Sequence, residues 1–136
     1  FAEFEKTVHE KIENGEVLSA DDLSEIYYKL NEEYFGKDCV IDEQIKYEWA
    51  RIPHFYTPFY VYKYATGVSV AIIIATNILS GKEGYVEKYI NMLKQGCTKK
   101  AVELLKMVDV DIEDINTYKG AINLYRNLTN ELKKLI

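Results

Sequence analysis

Residues 47–79 read YEWARIPHFYTPFYVYKYATGVSVAIIIATNIL. The stretch changes character halfway. Phe55, Tyr56, Phe59, Tyr60, Tyr62 and Tyr64 crowd its front, whereas from Ala65 on it is almost purely aliphatic and small, with no hydroxyls but those of Thr and Ser. A helix that is apolar all round is normally buried by its neighbours, and this apolar run is shorter than the roughly 20 residues a membrane span requires. The stretch is therefore expected to form the central helix of a soluble domain, over about residues 55–80 and roughly 39 Å long at 1.5 Å per residue. Buried phenols need hydrogen-bond partners. A dense set of them at one end of a buried helix points to a partly wet cavity there, and places function at that end.

The neighbouring segments read as helices too. Phe1, Phe4, Val8 and Ile12 recur at helical spacing and stop at Asn14-Gly15, a C-terminal signal. This first helix has no cap of its own, and the chain opens on Phe1 rather than Met, so it is expected to be a piece of a longer polypeptide. Ser19 and Asp22 have the spacing of a capping box and open a second helix that ends at Phe35-Gly36. Asp42 can cap a short helix carrying Ile45 and Trp49, which Pro53 should end near Ile52, because proline disfavours the helical conformation in the residue before it. His54 then falls in the break. Beyond Gly81 and Gly84, helices are expected over 83–94, 98–107 and 116–135, the last with Ile122, Tyr125, Leu128, Leu132 and Leu135 on one face. Val108-Asp109-Val110-Asp111-Ile112 alternates over too short a length for a sheet and is read as a solvated loop. The fold class is all-α, a helical bundle forming a single region over residues 1–136.

Composition narrows the function classes. The chain has 136 residues, 48% of them hydrophobic, enough for one core. Its net charge of −5 and lack of a Lys/Arg cluster argue against a nucleic-acid partner. Cys39 and Cys97 stand in no metal-type spacing and are expected to be free thiols of a cytoplasmic protein. Three motifs are decoys. His9-Glu10-Lys11-Ile12-Glu13 starts like the zinc motif H-E-x-x-H but has glutamate where the second histidine belongs. Asn127-Leu128-Thr129 is a glycosylation sequon inside a predicted helix. Asp109, Asp111, Glu113 and Asp114 lack the glycine and distal glutamate of a calcium loop.

What remains is His54 with the tyrosines. Tyr56, Tyr60 and Tyr64, spaced i, i+4 and i+8, would form a row on one helical face beginning two residues after His54. Such a group can donate hydrogen bonds to the carbonyl oxygens of a bound peptide and to an oxyanion. It contains no strong nucleophile, so it supplies stabilisers without a reaction centre.

The run ARIPHFYTPFYVYKYATG resembles the signature near the C-terminus of oligoendopeptidase F, a bacterial relative of thimet oligopeptidase. FAEFE at the start, HEKIENGEVLSADDLSEIYYKLNEEYFG and Ile41-Asp42-Glu43-Gln44 extend the resemblance over nearly the whole chain. The family pattern has Tyr-Tyr-Asn where this chain has Tyr56-Thr57-Pro58. The resemblance implies a mostly helical zinc metalloendopeptidase that cleaves short peptides, with this chain as the C-terminal portion of its catalytic domain. The zinc and its ligands, H-E-x-x-H and a downstream glutamate, would lie outside this chain. Tyr60 and Tyr56 would then be catalytic donors, and His54 and Tyr64 would hold the substrate backbone. The partners implied are peptide substrates and the rest of the peptidase chain, whose removal would bare apolar surface around Phe1 and Phe4 and lead the chain to self-associate. The rival reading is a self-contained helical module that binds a peptide or small ligand in an aromatic cavity without catalysis.

A catalytic zinc site takes three convergent protein ligands and an open position, and His9 and His54 are the only histidines. The chain alone is therefore expected neither to hold zinc tightly nor to cleave peptides. Metal analysis after dialysis and a peptide-hydrolysis assay check this, and stoichiometric zinc or metal-dependent cleavage would contradict it.

Overall fold

The computed structural model describes residues 1–136, and all of its regular structure is helical. The α-helices are α1 (Ala2–Glu13), α2 (Ala20–Phe35), α3 (Tyr62–Leu79), α4 (Tyr85–Lys94), α5 (Ala101–Lys106) and α6 (Ile115–Leu135). Two 3₁₀ segments, Glu43–Arg51 and Pro53–Tyr56, separate α2 from α3. The chain divides into two compact units, Phe1–Lys63 and Tyr64–Ile136, with the boundary in the first turn of α3.

In the first unit α1 packs on α2, and α2 on the 3₁₀ segment Glu43–Arg51. The starts of these elements are written in short polar side chains. Ser19 closes the expected capping box, its Oγ accepting from the Asp22 N–H while the Asp22 carboxylate accepts from the Ser19 N–H at 2.8 Å. Asp42 accepts from the Gln44 N–H at 2.8 Å and starts the 3₁₀ run, which ends at Ile52, extended ahead of Pro53. Phe4, buried on α1, meets the ring of Tyr27 edge-on at 5.2 Å and that of Phe55 at 5.1 Å. The Tyr27 hydroxyl donates to Glu48 Oε2 at 2.8 Å, and Trp49 Nε1 donates to Ser24 Oγ at 3.1 Å. Burial, and then the bond to Glu48, push the Tyr27 phenol far above its ordinary value. Of the two phenylalanines expected to lie bare, Phe1 is exposed and Phe4 is buried.

The core of the second unit gathers Val70 and Ile74 of α3, Tyr85 of α4, and Val108 and Val110. The last two correct the solvated-loop expectation for residues 108–112. No strand forms there, but Val108 and Val110 are among the most buried side chains of the chain, at 0% and 2% exposure. Asp109, between them, turns outward with φ 57° and accepts from Lys88 Nζ at 2.9 Å. That hydrogen bond holds its carboxyl below the ordinary carboxylate range. Alternation here marks a loop with one face in the core. Asp114 then caps α6, accepting from the Asn116 N–H at 2.9 Å. The apolar row Ile122, Tyr125, Leu128, Leu132 and Leu135 of α6 is exposed.

The long central helix starts at Tyr62, not near Phe55. Pro53 and Pro58 lie five residues apart, and neither can donate a backbone hydrogen bond. Residues 53–61 therefore form a 3₁₀ turn and a bend instead of two turns of α-helix. By length and composition alone α3 is apolar enough to cross a membrane. One of its stripes, Ser69, Val70 and Ile74, is buried, while Val68 and Leu79 are exposed.

Tyr85 is 1% exposed, and its hydroxyl donates to the Val108 carbonyl oxygen at 2.8 Å. Tyr85→Phe should lower unfolding stability by about 1–3 kcal/mol, because a buried carbonyl loses its donor. Denaturant titration followed by circular dichroism checks this, and an unchanged midpoint would remove the bond from the account.

Candidate functional site

The site is built on the bend that the two prolines force. Ile52 and Val61, at its two ends, are buried. Phe55 points back to α1, between Phe1 at 5.8 Å and Phe4 at 5.1 Å. With the ends and one ring fixed in the core, the residues between them are presented outward.

His54 lies in the 3₁₀ turn Pro53–Tyr56, in the break the sequence predicts. Its imidazole stacks on the Tyr60 ring with centroids 5.3 Å apart and planes 27° from parallel. Lys63 Nζ sits 4.8 Å from the centre of that same ring. The structure thus brings together an imidazole and a phenol of the bend and an ammonium group from the first turn of α3. Tyr60 is 38% exposed, so the group is open on one side.

The row of Tyr56, Tyr60 and Tyr64 on one helical face does not form. Tyr56 belongs to the 3₁₀ turn, Tyr60 lies outside any helix, and Tyr64 alone is α-helical, in the second unit. Prolines 53 and 58 are the reason, since a row with spacing four exists only on a continuous helix. The Tyr56 hydroxyl has a backbone partner. It donates to the Ala50 carbonyl oxygen at 2.7 Å, a backbone clasp across the end of the 3₁₀ run. None of the expected site residues, three tyrosines and His54, is deeply buried; Tyr56 reaches 72% exposure and Tyr64 is likewise exposed.

Phe59 is the residue the sequence reading missed. Its φ of 56° lies in the left-handed region, which costs an ordinary L-residue roughly 1–2 kcal/mol. Position 59 follows a proline in a turn, where glycine or asparagine is usual. The offset comes from α1. Glu5 Oε1 accepts from the Phe59 N–H at 2.8 Å, and the His9 ring lies against the Phe59 ring at 4.5 Å. A hydrogen bond to a charged group contributes about 1.5–3 kcal/mol, so it matches the strain. The signal was available in FAEFE, since Glu5 falls on the helix face of Phe1 and Val8, where a charge belongs only if it has a partner inside.

The donor set does not make a metal site by itself. No three His, Cys, Asp or Glu side chains converge, and His9, first in the H-E-K-I-E run, is engaged with Phe59. Cys39 and Cys97 are free and exposed.

Comparison with known proteins identifies the setting. The pattern of peptidase family M3 matches residues 1–124. The chain is 40% identical over 136 residues to oligopeptidase PepF of Bacillus subtilis, covering 100% of this chain and 20% of that protein. It is 41% identical over 135 residues to an oligoendopeptidase F homolog of Borreliella burgdorferi, covering 99% of this chain and 23% of that protein. Its structure resembles the crystal structure of oligoendopeptidase-F from Enterococcus faecium with a TM-score of 0.94 and 39% identity, over 99% of this chain and 26% of that one. The chain spans about a fifth of the length of the curated relatives it matches. With the family pattern covering all but its last twelve residues, the chain belongs to peptidase family M3.

Proposed function

We propose that this chain is the C-terminal portion of the catalytic domain of a zinc metalloendopeptidase acting on short peptides, and that it supplies the substrate-binding and oxyanion-stabilising groups His54 and Tyr60. The observation that carries the reading is the stacked His54–Tyr60 pair, held on a bend whose two ends are buried. Family membership favours this reading over a free-standing binding module.

The chemistry follows from the groups. Cleaving a peptide bond places negative charge on the former carbonyl oxygen, and a fixed neutral donor aimed at that oxygen is stronger in the transition state than in the ground state. A phenol is such a donor, and phenols ordinarily stay protonated through neutral pH. Tyr60, whose ring stacks on His54, takes this role. The Lys63 ammonium beside the Tyr60 ring adds a positive field favourable to an oxyanion. His54 has at least one ring N–H in either charge state and grips a carbonyl of the substrate backbone. Tyr64, in the first turn of α3, is a further donor for the substrate backbone.

Zinc, held by residues of the longer polypeptide, would supply carbonyl polarisation and water activation when bound. The exposed apolar residues of α1, α3 and α6 are surface that the rest of that polypeptide would cover. Without that cover, the same surface drives self-association. The setting that fits a peptidase of this kind is the cytoplasm.

In the longer enzyme, Tyr60→Phe removes one donor and little volume, so kcat should fall roughly 10²- to 10³-fold with folding and zinc content unchanged. Tyr56→Phe should cost less, through the lost clasp. His54→Ala should lower kcat/KM with the larger share in KM. Steady-state kinetics on a short fluorogenic peptide decide the matter. Tyr60→Phe with kcat within about twofold of the parent would make this phenol a packing group.

A further inference from the structure

We infer that Glu5 is a positioning residue for the candidate site. Through its hydrogen bond to the Phe59 N–H it fixes the left-handed backbone that sets the Tyr60 ring against His54. The functional meaning of this inference rests on the peptidase reading above, but the geometric part does not.

Glu5 is 6% exposed although it carries a carboxylate, and a buried charge of this kind needs a defined partner. The partner is a backbone N–H 54 residues away in sequence, at 2.8 Å. Glu5 and His9 stand one helical turn apart on α1 and therefore share a face. The first takes the backbone of Phe59 and the second its ring, at 4.5 Å. Phe59 is thus held at two points by one rigid helix.

The hold has a consequence for the next residue. Pro58 fixes the backbone on one side of Phe59, so the φ of 56° at Phe59 is what aims Tyr60. Released from Glu5, Phe59 gains by returning to negative φ, because the left-handed conformation is unfavourable to a residue with a Cβ. That rotation carries Tyr60 away from His54. Glu5 acts on the pair through the backbone of Phe59.

The test separates geometry from function. In the 136-residue chain, Glu5→Leu keeps volume and suits a buried position while removing the acceptor, and Glu5→Gln keeps an acceptor oxygen. The His54 ring protons, read by NMR, report the ring current of Tyr60. Glu5→Leu should move them to their positions in Tyr60→Ala, and Glu5→Gln should leave them near the parent positions. Unmoved His54 signals in a folded Glu5→Leu chain would overturn the inference. Should Glu5→Leu not fold, hydrogen exchange of the Phe59 amide in the unaltered chain decides instead: protection supports the bond, and exchange at the rate of a free amide overturns it. In the longer enzyme, Glu5→Leu should lower kcat at least about tenfold, and Glu5→Gln should restore most of it. If the His54 signals move while Tyr60→Phe leaves kcat unchanged, the positioning stands and the peptidase role of the pair fails.

Discussion

Two prolines five residues apart are the constraint on which the candidate site depends. Pro53 ends the 3₁₀ run at Ile52, Pro58 keeps Thr57 extended and Phe59 is left-handed, so the chain between Ile52 and Val61 bends. A bend in a helical protein has backbone groups without helical partners, and these must be satisfied otherwise. Here α1 serves one of them through Glu5, and the Tyr56 hydroxyl serves a carbonyl at the end of the 3₁₀ run. The cost is local strain at Phe59; the gain is a histidine and a tyrosine at a fixed mutual distance. Strained backbone that is over-determined by its surroundings recurs at functional sites, and this bend has that character.

The same constraint explains which parts of the molecule were legible in the sequence. Ser19-Ala20-Asp21-Asp22, Asp42 and Gly36 state local hydrogen bonds and turns, which depend on residues close by, and the elements they bound lie where the spacing puts them. His54 in a break follows from Pro53 alone. The start of α3 was not legible in the same way. A window that counts aromatic residues at three- and four-residue steps sees a helix from Phe55 on, although Pro58 stands inside it and the helix starts at Tyr62. The error then propagated to the tyrosines, whose common face existed only if the helix did.

Other features were hidden because their partners lie far along the chain. Glu5 meets Phe59 across 54 residues, and although its place on the apolar face of α1 calls for a partner, nothing local names Phe59 as that partner. Val108 and Val110 sit in a segment that has the polarity of a surface loop, and only the second unit's core shows why valine alternates with aspartate there. Conversely, the apolar row of α6 was legible as a face but not as an exposed one. Periodicity tells that a face is apolar; it does not tell what lies against it.

The account's central claim is that the His54–Tyr60 pair meets the reacting centre of a peptide. The most direct measurement is a crystal structure of the longer enzyme with a peptide analogue whose scissile bond is replaced by a tetrahedral phosphinyl group, which mimics the charge of the transition state. The account predicts the Tyr60 hydroxyl within about 2.6–3.2 Å of a phosphinyl oxygen, with a His54 ring nitrogen on a neighbouring backbone carbonyl of the ligand. An analogue bound with both side chains out of its reach, or packed away against another part of the polypeptide, would contradict it.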